Sequence, residues 1–445
     1  MINDTIVAQA TAIGKSGINI VRISGKDSLK IASQIFYCKK IKDAPQPNYM
    51  YLGYIDLGKV KDKGFMVYFK SPLSFTGEDV IEFHCHGGYL VSKKIVDRCL
   101  EFGARMADAG EFSKRAFLNG KMSLDEAEGV IETINAETDN QLKAGNNLAS
   151  GNLFKQVGVF QEELTDIISE IEVNLDYPEH DIEYQTKLTI EKRLCKIKDE
   201  VENLLATETT GKLIKNGVSV AIVGKTNVGK SSLLNALINY EQAIVTDIEG
   251  TTRDVVSAEI EYKGMKFNFF DTAGIRKTND KIESIGIEKS KQILNTSDIA
   301  LYVFDSSKPL DEEDKKTLKQ AQNKNSLVIF NKCDLNKQID YNGEHLKVSA
   351  KQKINTEQIK QKIYDLVAGK VDVQNNFVLT NTRHIQVLKS ALNQIKNCLS
   401  NIQAFPLDCV ALDIKTIWNT FGEITGETAD EKILDKIFSK FCLGK

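Results

Sequence analysis

Gly224-Lys225-Thr226-Asn227-Val228-Gly229-Lys230-Ser231 follows the apolar run Ser219-Val220-Ala221-Ile222-Val223 and opens the helix-period run SSLLNALIN. A buried strand, a glycine turn and a helix start, in that order and with the spacing G-x-x-x-x-G-K-[ST], make a loop that wraps phosphate. Glycines let backbone N–H groups close around the anion at a helix N-terminus, Lys230 neutralises β/γ-phosphate charge, and the Ser231 hydroxyl can ligate Mg²⁺. The segment Asn227-Val228-Gly229-Lys230-Ser231-Ser232 is therefore the first candidate binding site.

Three further motifs follow it in a fixed order. Asp271-Thr272-Ala273-Gly274 ends the apolar run FNFF, so that Asp271 can hold the magnesium water shell and the Gly274 N–H can meet a γ-phosphate. Asn331-Lys332-Cys333-Asp334 ends SLVIF, and the Asp334 carboxylate can accept both N1–H and N2–H of guanine. Adenine leaves that carboxylate unpaired, a mismatch a polar site rejects strongly. Ser349-Ala350-Lys351 then offers backbone donors to the guanine oxygen. The substrate read from these residues is GTP. Between the first two motifs lies Thr246-Asp247-Ile248-Glu249-Gly250-Thr251-Thr252-Arg253-Asp254, where the first switch belongs; two adjacent threonines allow one hydroxyl on Mg²⁺ and leave the other for a second, monovalent cation, to which Asn227 can add a carbonyl oxygen. Helix capping is the plain reading of Thr251. Ile275 stands where a Ras-like enzyme has a water-orienting glutamine, so catalysis borrows another group; Glu283 is in reach, with a solvated helix-face acid as its plain reading.

The strands SVAIVG, FNFFDTAG, IALYVFD, SLVIFNKCD and LKVSA alternate with helical segments, which predicts a doubly wound α/β domain over residues 213–371. Before it, 1–118 reads as a small α+β domain of short strand runs (TIVAQA, INIVRIS, YMYLGYIDL, FMVYF, DVIEFHCH) and helical patterns, and 119–212 as helix, as in LTDIISEIEVNL and IEKRLCKIKDEVENLL. Residues 372–445 return to helix, and the two helical flanks are expected to pack together around the inserted domain. With 445 residues, 42% hydrophobic and 27% charged, the chain supports about three such domains and is neither disordered nor fibrous. Lys+Arg 58 against Asp+Glu 61 leaves a net charge of -3, so an RNA partner is held locally or through another subunit. Eight cysteines without a C-x-x-C pair argue against a disulfide framework or zinc ribbon, no run approaches a membrane span, and the start lacks a basic-then-apolar leader; the expected location is the cytoplasm, with no membrane. His84-Cys85-His86 alternates faces on a strand and lacks a fourth ligand, which makes metal there improbable. No G-x-G-x-x-G follows a strand, so a flavin dinucleotide, if used, comes from a partner.

Taken together, TDIEGTTRD, DTAGIR, FTGEDVIEFHCHGG, GEFSKRAFLNGKMSLDEAEGVIE and the terminal FCLGK resemble the tRNA-modification GTPase family called MnmE or TrmE, over essentially the whole chain. The resemblance implies an N-terminal domain that binds a tetrahydrofolate derivative (5-formyl or methylene form) and forms a homodimer. It also implies a flavin-dependent partner of the MnmG/GidA type, and installation of an aminomethyl or carboxymethylaminomethyl group on C5 of the wobble uridine of tRNA. Carried over by motif, K⁺ ligands fall on Asn227, Thr246, Ile248 and Thr251, and Mg²⁺ on Ser231 and Thr252; Glu283 orients the attacking water; folate contacts fall on Arg22, Glu82, Lys121 and Lys445; and Cys442 is a reactive thiol beside the folate. A buried helix-end cysteine is the plain reading of Cys442, and it is not a prenylation site, because Gly444 and Lys445 do not fit that signal. Thr226 replaces the family's usual proline and Leu443 its usual isoleucine, neither of which removes a functional group. The rival class is a switch GTPase for ribosome assembly or signalling without folate chemistry, from which FCLGK and the set Arg22, Glu82, Lys121 discriminate.

Overall fold

The computed structural model describes residues 4–176, 180–238, 258–271, 292–321, 325–336, 338–339, 341–368 and 377–445. Contacts divide the chain into two compact units, one of Met1–Ile131, Leu148–Arg193 and Gln394–Lys445, the other of Glu132–Asn147 and Leu194–Asn393.

In the first unit, strands β1 (Ile6–Gln9), β2 (Ile18–Ser24), β3 (Phe36–Tyr37), β4 (Met50–Asp56), β5 (Lys61–Phe69), β6 (Val80–His86) and β7 (Arg105–Met106) form a sheet in the order β3-β4-β5-β6-β2-β1-β7. All neighbours are antiparallel except β1 and β7. Alternation along INIVRIS and VIEFHCH turns Val21, Ile23, Ile81, Phe83 and Cys85 to one face, where α1 (Ser28–Ile35) and α2 (Tyr89–Glu101) cover them through Ile31, Ile35, Ile95 and Cys99. The same alternation sends Arg22, Glu82 and His84 to the opposite face.

Helix α3 (Glu111–Leu118) is followed by α4 (Leu124–Ile134), which starts with a capping box: the Ser123 N–H donates to Glu126 Oε2 at 2.8 Å and the Glu126 N–H to Ser123 Oγ at 3.4 Å. Helix α6 (Asn152–Asp176), in chain order after α5 (Asp139–Ala149), buries Leu153, Val157, Phe160, Leu164, Ile167 and Ile171, spaced alternately four and three apart. It packs along α13 (Leu407–Thr425), whose stripe is Val410, Ile414, Ile417, Phe421 and Ile424, with the Phe160 and Phe421 rings 5.5 Å apart. Helices from the two stretches that flank the α/β region in sequence thus pack together, the arrangement expected when one domain is inserted into another. The last helix, α14 (Glu431–Phe438), places Leu434, Ile437 and Phe438 against Leu124 and Ala127, and Phe441 beyond it joins the same cluster, which fixes the start of the C-terminal tail.

Arg115 is 1% exposed and donates to Asp4 Oδ1 at 2.6 Å, Glu111 Oε1 at 3.0 Å and Glu78 Oε1 at 3.2 Å, while Arg105 reaches Glu111 Oε1 at 2.6 Å. Burial alone would raise the Glu111 pKa, but Arg105, the Asp108 N–H and Arg115 outweigh it and hold the carboxyl below its usual value. A depressed pKa adds stability that is present above the ordinary carboxylate range and lost as pH falls through the folded value. Glu111→Gln should therefore destabilise this unit by about 2 kcal/mol at pH 7, because it leaves buried Arg115 short of a charge partner. In urea titrations the gap between wild type and variant should close at acid pH, below the folded pKa of Glu111; a gap that persists there contradicts the assignment.

In the second unit, α8 (Glu208–Asn216) leads into β8 (Val218–Val223), and β9 (Ala258–Tyr262), β10 (Met265–Asp271), β11 (Ile299–Asp305), β12 (Ser326–Asn331) and β13 (Leu346–Lys347) complete a sheet ordered β13-β12-β11-β8-β10-β9. Only the β9–β10 pair is antiparallel. One face packs against α8, α9 (Lys230–Leu237) and α11 (Thr356–Ala368) through Leu213, Leu233, Ile359 and Ile363; the other packs against α10 (Glu312–Ala321) through Tyr302, Phe304 and Leu318. This is the doubly wound α/β arrangement that the strand–helix alternation predicts.

Candidate functional site

The nucleotide motifs among the described residues lie at the C-terminal ends of strands of the second sheet. Gly224 follows β8, Asp271 ends β10, Asp305 ends β11 and Asn331 ends β12. A parallel sheet binds its ligand beyond those ends, because the loops there splay apart. Gly229 caps the start of α9 at φ +93, and a Cβ on it would lie 2.3 Å from Asn331 Nδ2, so both backbone and space require glycine.

Lys230 is 5% exposed and donates to the carbonyls of Gly224 at 2.7 Å and Lys225 at 2.6 Å, which places its ammonium inside the phosphate loop. Ser231 Oγ donates to Asp271 Oδ2 at 3.3 Å, uniting the two groups that sequence assigns to the magnesium shell. A hydroxyl and a carboxylate are hard oxygen donors and fit that cation.

Asn331 opens the motif whose Asp334 is expected to read the base, and the structure shows Asn331 itself as a brace. Only 2% exposed, it donates from Nδ2 to Val228 O at 2.9 Å and accepts at Oδ1 from the Ala350 N–H at 3.0 Å, so one amide braces the phosphate loop, its own motif and Ser349-Ala350-Lys351. Lys332, at φ +64, donates to Asn227 O at 2.8 Å and pairs with Asp305 Oδ2 at 2.5 Å. Burial would raise the Asp305 pKa, but Lys332 and Ser307 overcome it and hold the carboxyl low. The Asn227 backbone oxygen is therefore engaged, and its amide oxygen remains the candidate cation ligand.

Asp334 is exposed at the loop tip, beside Cys333, whose N–H donates to Val348 O at 3.0 Å and whose thiol pKa is pushed up by burial and then by Asp334. Ser349 and Ala350 are buried and Lys351 is exposed. Lys225, not singled out from sequence, pairs with Asp311 and, at 3.1 Å, with Asp314 at the start of α10. Thr246, Asp247, Ile248, Glu249, Gly250, Thr251, Thr252, Thr272, Ala273, Gly274, Ile275 and Glu283 lie outside the described residues.

The first unit holds a second constellation. Register opposes Arg22 to Glu82, and Arg22 Nε and Nη2 each reach Glu82 Oε1 at 2.9 Å. The guanidinium carbon lies 5.2 Å and 5.7 Å from the ring centroids of Phe75 and Phe112, and Nη1 donates to Gly444 O at 3.4 Å. The C-terminal tail thus reaches this face. Gly444 sits at φ +91, and a Cβ there would come within 2.3 Å of Gln9 O, which explains glycine between Leu443 and Lys445. Burial, then the Arg22 charge, hold the Lys445 ammonium below its usual pKa. Cys442 is exposed rather than buried at a helix end. Arg22, Glu82 and Lys445 are brought together, whereas Lys121 lies beside Gly77, on the loop between β5 and β6, with no described contact to the other three. His84 and His86 flank buried Cys85, and among the described residues no group of three or more His, Cys, Asp or Glu could hold a metal ion.

The chain is similar to known proteins along essentially its whole length. A family profile described as "MnmE helical domain" matches residues 124–442, and one described as "GTP-binding protein TrmE N-terminus" matches residues 5–121. A protein of Clostridioides difficile named "tRNA modification GTPase MnmE" is 41% identical over 457 residues, covering 100% of both chains. Proteins of the same name from Desulforamulus reducens and Lactobacillus gasseri are 39% and 40% identical, covering 100% and 99% of this chain and 100% and 98% of their own.

Proposed function

This chain belongs to the MnmE family of tRNA modification GTPases, and from that premise we propose how its residues divide the work. It hydrolyses GTP to GDP and phosphate in the course of tRNA modification. The observation that carries the nucleotide half is the convergence of Lys230, Ser231, Asp271 and Asn331 at one end of one sheet.

Lys230 exchanges its two backbone acceptors for phosphate oxygens, so the loop is pre-shaped for an anion. Ser231, with Asp271 behind it, and Thr252 would hold Mg²⁺, which would neutralise charge on the β- and γ-phosphates. Asn227, Thr246, Ile248 and Thr251 would hold K⁺, which would supply transition-state charge stabilisation of the kind an arginine finger supplies elsewhere. Glu283 orients the attacking water in place of the missing glutamine at Ile275. Phosphate release should then be at least about tenfold faster in potassium than in sodium chloride, and Asn227→Ala should erase the difference. Equal rates in both salts would contradict the cation site.

For the modification half, Arg22 and Glu82 of residues 1–118, together with Lys121 and the terminal Lys445, bind a tetrahydrofolate one-carbon donor. A guanidinium and two ammonium groups suit an acidic glutamate tail, and a carboxylate suits the N–H edge of a pterin. Cys442 serves beside the donor, and a flavin-dependent partner of the MnmG/GidA type supplies the redox step, yielding an aminomethyl or carboxymethylaminomethyl group on wobble-uridine C5. Supporting a homodimer, the outer face of β3, β4 and β5 exposes Tyr37, Met50, Leu52, Tyr54 and Phe65, a contiguous apolar patch that a second copy of this chain would cover. No helix among the described residues is long and apolar enough to cross a membrane, and the cytoplasm is the compartment where tRNA and thiols of this kind meet. Direct binding of 5-formyl-tetrahydrofolate to the full chain, measured by calorimetry, tests this half. Its absence would return the chain to the class of GTPases without folate chemistry.

A further inference from the structure

We propose that His84 is a positioning residue for Glu82, its buried and unpartnered Nε2 closing on the second carboxylate oxygen when folate binds so that the pterin meets an ionised, oriented acceptor; this rests on the folate reading above. His84 follows Glu82 by two residues on β6, so both project from the same face. Across the sheet, Glu82 is opposed by Arg22 and Val67, and His84 by Ile20 and Phe65. The apolar side chains of Ile20 and Phe65 offer the imidazole no hydrogen bond, whereas Glu82 Oε2 lies 3.4 Å from His84 Nε2. That nitrogen is shielded from solvent and, among the described residues, has no aligned hydrogen-bond partner.

The two oxygens of Glu82 are treated differently. Arg22 places both Nε and Nη2 on Oε1, which anchors one end of the carboxylate and leaves rotation about the broad, two-fold terminal torsion unopposed. Turned into line over the 3.4 Å that separates it from Oε2, the imidazole would remove that freedom. It also adds to the ionisation of the group: burial works to raise the Glu82 pKa, and His84 and Arg22 together overcome it and hold the carboxyl low. A pterin N–H edge needs an acceptor that is charged and held in one plane, because each misaligned bond weakens steeply with angle. His84 acts through Glu82 and need not touch the folate.

The experiment is calorimetric binding of 5-formyl-tetrahydrofolate to full-length wild type, His84→Phe, His84→Gln, Glu82→Gln and the Phe/Gln double variant, with thermal unfolding of each. His84→Phe should weaken binding about tenfold, the size of one hydrogen bond to a charged group, while His84→Gln, which keeps an N–H donor, should stay within about threefold of wild type. In the double variant, His84→Phe should add almost nothing to Glu82→Gln, since its effect passes through that carboxylate. Should His84→Phe fail to fold, His84→Asn, too short to span to Oε2, takes its place with the same expectation. Wild-type affinity in the variant that lacks the donor, or losses that add in full, would overturn the proposal and leave folate binding intact. No binding by wild type would instead overturn the folate reading, and the role of His84 with it.

Discussion

Asp334→Asn should raise the dissociation constant for GTP by roughly two to three orders of magnitude and shift preference towards xanthosine triphosphate. On the guanine-reading role proposed for Asp334, the carboxylate accepts two N–H groups of guanine; an amide would turn a donor towards one of them, so a lost bond would become a repulsive contact. The loop that carries Asp334 is held without it: Cys333 N–H donates to Val348 O at 3.0 Å, Leu335 N–H to Lys332 O at 3.0 Å, and Asn331 braces Val228 and Ala350. Asp334 itself is exposed, so the substitution removes chemistry and leaves packing alone. Thermal stability without nucleotide should be unchanged. Competition between fluorescent guanine and xanthine nucleotides reads the switch, and equal GTP affinity in the variant would contradict a guanine-reading Asp334.

Cys442→Ser should leave GTP hydrolysis within about twofold of wild type while reducing modified wobble uridine at least about a hundredfold. The thiol is exposed and belongs to the first compact unit, whereas the phosphate loop belongs to the second. Phe441 and Gly444 on either side hold the tail, the one buried in the α4–α14 cluster and the other pressed against Gln9, so serine at position 442 disturbs no packing. What it removes is a soft sulfur nucleophile, for which a hydroxyl is a poor substitute. Modified uridine at normal levels in cells that carry only the serine variant would make Cys442 a bystander.

The parts of this account legible in the sequence are those that local chemistry encodes. A phosphate loop is eight consecutive residues, and SVAIV, IALYVF and SLVIF are apolar because both faces of their sheet are covered. The helices that carry the α6 and α13 stripes announce themselves by spacing. What stayed hidden depends on register and on meetings between distant residues. That Arg22 opposes Glu82 across β2 and β6 requires sixty residues of sheet topology, and no local pattern fixes it. The role of Asn331 as a brace, the Lys332–Asp305 pair and the fit of Gly444 on Gln9 are likewise set by strand ends and a tail that meet only in the fold. β3 and β7, two residues each, are too short to show a period. β9, whose AEIEY does alternate, becomes visible as a strand only through its pairing with β10.

The central claim, that this GTPase serves modification of wobble-uridine C5, is tested most directly by nucleoside mass spectrometry of tRNA from cells that lack the chain, and from the same cells supplied with wild type or with Lys230→Ala. The account predicts that the C5 aminomethyl-type modification is absent without the chain, returns with wild type, and stays absent with the variant that cannot hold phosphate. Modified uridine at normal levels in cells without the chain would contradict it.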